Sequence, residues 1–137
     1  MVDIVYFNKE DSNKWKGVII EESLNNPSLL NNINIVNTEK TKLENDIQSK
    51  VYNLHKVEVD NDNLPTTLES ISSNINNPFY AHLVNGDTIH VAFPNKIFTA
   101  KRNNRKSFNT IKNYGKSLGI PKEQLNIEKL IDNPFDE

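Results

Sequence analysis

The sequence predicts an α+β fold built on an antiparallel sheet, and three observations carry that expectation. Asn85-Gly86 stands between two runs of strand formers, Phe79–Val84 and Asp87–Phe93, and Asn-Gly is the dipeptide that tight hairpin turns favour. Pro94-Asn95 separates the second run from a third, Ile97–Lys101, so the three read as a meander over about 79–101. Apolar residues recur at helical spacing on either side of it: Leu64, Leu68, Ile71 and Ile75 before, Phe108, Ile111 and Leu118 after. The expected architecture is a sheet with this meander at its middle and helices at about 64–75 and 105–118 packed on one face.

Taken in order, Asp3–Phe7 reads as a strand because Ile4, Val5, Tyr6 and Phe7 all favour extended backbone. Trp15–Ile20 is a second strand with poor alternation. Residues 25–37 hold six asparagines and read as a loop with a short strand at Ile33–Val36. Thr41-Lys42-Leu43-Glu44 has the form of a helix capping box. Val51–Val59 alternates at Val57-Glu58-Val59 and reads as a strand. Pro65 suits the first turn of the helix that follows, and Asn76-Asn77-Pro78 ends it. Gly119 fits the position just past the second helix, with Ile120 as the apolar contact and Pro121 blocking continuation. A short helical segment near Glu123–Ile131 follows, and the acidic tail Asp132–Glu137 is expected to fray.

A chain of 137 residues fits one domain, 1–137. No apolar run approaches the roughly 18 residues needed to cross a bilayer. The opening segment lacks the basic n-region of a signal peptide, and the expected location is cytoplasmic. The absence of cysteine excludes disulfides, thiolate metal sites and cysteine nucleophiles.

Charge is the largest signal outside the core. Residues 1–87 hold seven Lys/Arg against thirteen Asp/Glu, whereas residues 88–122 hold eight Lys/Arg and no acid. On the second helix Arg105, Asn109, Lys112 and Lys116 fall within about 60° of one another at 3.6 residues per turn. Lys101 and Arg102 extend that edge, which fits phosphates or an acidic protein surface. The competing reading is an internal seam, these cations pairing with the acidic half of the same domain.

Tyr80-Ala81-His82-Leu83, Ile89-His90-Val91-Ala92-Phe93, Lys96-Ile97-Phe98 and Tyr114-Gly115-Lys116-Ser117-Leu118-Gly119-Ile120-Pro121-Lys122-Glu123-Gln124-Leu125 together resemble a family of small uncharacterised bacterial proteins. That family has a Tyr-Ala-His strand and a C-terminal Tyr-Gly-x-Ser-x-Gly-Ile-Pro-x-Glu-Gln-Leu segment. The likeness covers roughly residues 51–125, and Leu83 and Ala92 depart from the commoner aromatic or β-branched choices. It implies a bacterial source and a compact fold, and carries no activity and no catalytic residue.

Signatures of catalysis are missing. Gly115-Lys116-Ser117 resembles the end of a phosphate-binding loop, but the earlier glycine it requires would be residue 110, which is Thr110. With Asn85-Gly86 as a two-residue loop, His82 pairs with Ile89 and His90 with Ala81, so alternation sets the two histidines on opposite faces, unable to share a metal. Phe93, Phe98, Phe108 and Tyr114 fit core positions better than base-stacking ones. Trp15 is a candidate for an exposed aromatic anchor, though core burial fits it slightly better. Asn133-Pro134-Phe135 reads as a frayed end or a docking peptide.

The sequence thus predicts a non-enzymatic binding protein of bacterial or mobile-element origin, without cofactor or metal. Its binding residues are Lys101, Arg102, Arg105, Lys112 and Lys116, and its partner is an anionic macromolecule, either an acidic protein surface or nucleic acid. An inhibitor of a nuclease or defence complex fits the same features. The alternative is a small enzyme acting on a phosphorylated or nucleotide substrate, with Arg102 and Arg105 clamping phosphate and His82 or His90 as acid or base.

Overall fold

The computed structural model describes residues 13–42 and 50–136. Six strands form one antiparallel open sheet: β1 Lys14–Ile20, β2 Asn34–Lys42, β3 Val51–Asp60, β4 Ala81–Asn85, β5 Thr88–Phe93 and β6 Lys96–Lys101, in the spatial order β2-β3-β1-β4-β5-β6. Helices α1 Leu64–Ser72, α2 Arg105–Ser117 and α3 Ile127–Asp132 pack against it. The α+β class, the meander and both main helices stand as the sequence predicts. The meander is one half of the sheet rather than its middle, because β1 inserts between β3 and β4 and occupies the centre.

The centre is possible because of Gly17. It pairs with Leu83, and a Cβ built there would lie 1.7 Å from the carbonyl oxygen of His82. Only a residue without a side chain lets the two backbones approach this closely. Gly17 also interrupts the apolar alternation of β1, which accounts for that strand's weak signal.

The two main helices do not share a face. Strand alternation sends Trp15, Ile19, Val57, Ala81, Leu83 and Ala92 to one side, where they pack with Leu64, Leu68 and Ile71 of α1. Val84, Ile89, Val91, Phe93 and Ala100 point to the other side and meet Phe108 and Ile111 of α2, with Leu130 and Ile131 of α3. The expectation of one face fails because β4 and β5 are buried on both sides: four of five residues in β4 and four of six in β5 are buried, three of them in succession at Val91-Ala92-Phe93. A strand covered on both sides reads as a continuous apolar run.

The first hairpin turns at Gly86-Asp87, with Asn85 opposite Thr88, rather than at Asn85-Gly86. Of the two loop residues only Gly86 has positive φ, +59°, the pattern of a type II′ turn, which needs glycine at its first central position alone. His82 therefore faces Val91, not Ile89, and His90 faces Leu83. The parity is unchanged, so the two histidines still point to opposite faces.

The N-terminal half departs further from expectation. The strand predicted at Ile33–Val36 is β2, nine residues long and exposed at eight of them, with a bulge between Ile35 and Asn37. Thr41 and Lys42 belong to this strand and pair with Tyr52 and Val51, so Thr41 is not a helix cap. The remainder of that predicted helix, and the strand predicted at Asp3–Phe7, lie outside the described residues. Pro27–Asn32 forms 3-10 turns. The first predicted helix is regular to Ser72, after which Ile75 bonds back to Ile71 and bridges to Leu24. At the C-terminus of α2, Gly119 takes φ +87° and Ile120 donates to the Gly115 carbonyl, the expected closure.

Candidate functional site

The cationic edge begins where β6 ends. Asn103 has φ +70° and turns the chain, and the Asn104 side chain caps α2 by accepting from the Ser107 amide at 3.2 Å. The helix then buries Phe108, Ile111 and Gly115, with Ser107, Lys112 and Tyr114 half-buried. Arg105, Lys106, Asn109, Thr110, Asn113 and Lys116 are all exposed. No acidic residue occurs in the helix, and its first turn carries two cations, the unfavourable sign for a helix N-terminus.

The five predicted binding residues divide into two groups. Arg102 is a strut: its Nε donates to Asp87 Oδ1 and its Nη2 to Asp132 Oδ1, each at 2.8 Å, fastening the first hairpin turn and the end of α3 to the end of β6. The hydrogen bond to Asp132, then that to Asp87, holds the guanidinium above its ordinary pKa, and Arg102 in turn lowers that of Asp132. Lys112 donates to Glu128 Oε2 at 2.6 Å and ties α2 to α3. Lys101, Arg105 and Lys116, with Lys106 beside them, take part in none of the ion pairs among the described residues. The partners of the two struts are Asp87, Glu128 and Asp132, so two of the three come from the C-terminal segment rather than from the acidic N-terminal half.

That segment is docked, not frayed. Besides Asp132, the carbonyl of Pro134 accepts from His82 Nε2 at 2.6 Å, and Lys129 lies 3.5 Å from Asp136. Asn133-Pro134-Phe135 therefore sits against its own sheet, because a buried imidazole on β4 needs the acceptor that Pro134 supplies.

The histidines serve three local purposes. His82 is buried, and burial lowers its pKa to about 4, with the Pro134 hydrogen bond opposing the shift. His90 lies on the opposite face, its ring tilted against Trp15 with centroids 4.8 Å apart and hydrogen-bonded to Thr99 Oγ1, with its pKa lowered by burial. His55 stands between Thr38 Oγ1 at Nδ1 and Glu21 Oε1 at Nε2, both at 2.8 Å. This hydroxyl–imidazole–carboxylate row could not be read from the sequence, since its members come from β2, β3 and the turn after β1. Thr38 stands directly opposite His55 in the ladder. The row clamps the edge strand. Among the described residues no group of three or more histidines and carboxylates could hold a metal ion.

The aromatic residues of the meander and α2 pack against one another. Phe93, Phe98 and Tyr114 form one cluster with ring centroids 5.0–5.9 Å apart, and Phe108 is buried beside it. Trp15 is core, its indole N–H donating to Asn61 Oδ1 at 3.0 Å. No helix of the described residues is long and apolar enough to cross a membrane. Comparison with family models, curated proteins and solved structures finds no match to this chain.

Proposed function

We propose that the protein is a non-enzymatic binding protein whose working surface is the outer face of α2, engaging an anionic macromolecule. One observation carries this reading: the cations split by direction. Those turned toward the hairpin and α3, Arg102 and Lys112, each meet a carboxylate, while outward-facing Arg105, Lys106 and Lys116 meet none in a helix that contains no acid. Exposed like charges on one helix repel, and an acid in the first turn would relieve both that repulsion and the helix dipole. A partner that brings the anions supplies the missing complement.

An acidic protein surface suits this face better than a long nucleic acid. Glu128 and Asp132 lie on the adjoining α3, and the chain as a whole carries a net charge of −2, so an extended polyanion would meet repulsion beyond the helix. The test is titration of the protein and of the R105E/K116E double variant with poly-L-glutamate and with a duplex oligonucleotide, each at low and at physiological salt. The expected result is polyglutamate binding that the double variant weakens about ten-fold or more. Undetectable binding of both polyanions at low salt, or binding unchanged by the reversal, would remove the reading. Oligonucleotide binding with a steep salt slope would identify nucleic acid as the partner class.

A further inference from the structure

The free cations of α2 are exposed, and exposed ion pairs each contribute little. A specific complex concentrates its energy on aromatic or apolar anchors and keeps charge at the rim. Such a surface stands at the seam between α2 and β6. Phe98 and Tyr114 are both half-buried there, with ring centroids 5.0 Å apart and planes inclined by 53°. Both rings rest on buried Phe93, whose centroid lies 5.9 Å from that of Phe98 and 5.1 Å from that of Tyr114.

Cations flank this pair. Lys96 Nζ lies 5.8 Å from the centre of the Phe98 ring, and Lys106, Thr110 and Tyr114 follow one another at four-residue spacing along one ridge of α2. Residues 88–122 contain no acid to neutralise them, and neither Lys96 nor Lys106 takes part in the ion pairs among the described residues. The Tyr114 hydroxyl has no hydrogen-bond partner among the described residues, yet no side-chain oxygen sealed from solvent lacks one. Tyr114 Oη therefore opens to solvent, an unused donor beside the cations. Aromatic rings pair best offset or edge-to-face, so two inclined rings suit a third aromatic side chain better than the flat stack of a nucleobase.

We propose that the Phe98–Tyr114 pair is the anchor of the α2 surface, and that the partner is an acidic protein segment carrying an aromatic side chain. The partner's ring packs on Phe98 and Tyr114, one of its carboxylates accepts from Tyr114 Oη, and others meet Lys96 and Lys106. The inference rests on α2 being a binding surface, and adds the residue type that an acidic partner must bring to it.

A matched pair of peptides tests it by calorimetric titration: a short polyglutamate with a tryptophan at its centre, and the same peptide with serine there. The tryptophan peptide should bind about ten-fold more tightly or better, with intermolecular NOEs from its indole to the Phe98 and Tyr114 rings. Phe98→Thr should remove that advantage and leave the affinity of the serine peptide as it is; the NOEs decide should Phe98→Thr not fold. Tyr114→Phe, which keeps the ring, should weaken the tryptophan peptide about three-fold or more. Equal binding of the two peptides, both weakened by R105E/K116E, would overturn this inference and leave the α2 surface standing. Binding of neither at low salt would remove the surface and its anchor together. An advantage that survives Phe98→Thr, indole NOEs to other residues, or tighter binding of a single-stranded oligothymidylate than of the tryptophan peptide would each overturn the anchor.

Discussion

The two ends of the sheet are held by different physics. At the meander end, β4 and β5 are buried on both faces between α1 and α2, and Ile71 and Ile111, packed on opposite sides of the sheet, have no exposed surface at all. At the other end, β2 is exposed at eight of nine residues and is retained by its backbone ladder and by polar links: Thr38 to His55, His55 to Glu21, and Lys56 to Glu39. Apolar burial is cumulative and cooperative, whereas exposed polar links each contribute little. The difference teaches where stability and where opening should lie: the meander sandwich should open only with the whole fold, and the β2 edge should open locally.

The largest effect should come from joining the two ends wrongly. Gly17→Ala places a methyl where the His82 carbonyl stands and forces β1 away from β4, so the two halves of the sheet part. We expect a loss on the order of 3–5 kcal/mol in chemical denaturation. Ile71→Ala and Ile111→Ala, one on each side of the sandwich, should each cost about 2–5 kcal/mol. A loss below about 1 kcal/mol at both would mean that the meander is not the stable end.

Acidification probes the same end through His82. Its folded pKa of about 4 lies below the ordinary 6.5, so between those values the unfolded chain binds the proton and the folded chain does not. The His82 contribution is complete above about pH 6.5 and is lost as pH falls through 4, reaching roughly 3 kcal/mol. Denaturation midpoints from pH 7 to 4 should fall in wild type and fall less in His82→Phe. Parallel slopes would show that His82 is not buried neutral.

A smaller effect is expected at the edge. His55→Ala removes the shared partner of Thr38 and Glu21 and should cost about 1–2 kcal/mol. Amide exchange should quicken along Asn34–Lys42 while Ala81–Phe93 stays protected. Uniform quickening across both regions would erase the distinction between the ends.

The same contrast governs what the sequence could reveal. The meander was legible because its turns depend on particular residues, Gly86 with positive φ and Pro94-Asn95, and because helix periodicity is explicit in Leu64-Leu68-Ile71 and Phe108-Ile111. Which face each helix covers was not, since Val91-Ala92-Phe93 buried on both sides gives no alternation to assign. The β2 strand was hidden for the opposite reason: with nearly every residue exposed, Asn34–Lys42 shows no buried face. At the candidate site, the cationic edge was visible as a run without acids. Its division into struts and free cations was not, because Glu128 and Asp132 reach Lys112 and Arg102 only through the docking of a segment that composition marks as a loose acidic tail. The row through His55 and the His82–Pro134 bond likewise depend on contacts between residues 17 to 52 positions apart.

That division of the cations is the centre of the functional reading, and two charge-reversal pairs test it against each other. R105E/K116E alters only cations without ion pairs; R102E/K112E sets glutamates against Asp87, Asp132 and Glu128. Melting temperature and poly-L-glutamate affinity, measured side by side, should separate completely. The first pair should melt as wild type does and bind about ten-fold more weakly or worse, and the second should melt lower and, while folded, keep most of its affinity. The reverse pattern, with R105E/K116E destabilised and its affinity unchanged, would show that the outer face of α2 serves the fold and not a partner.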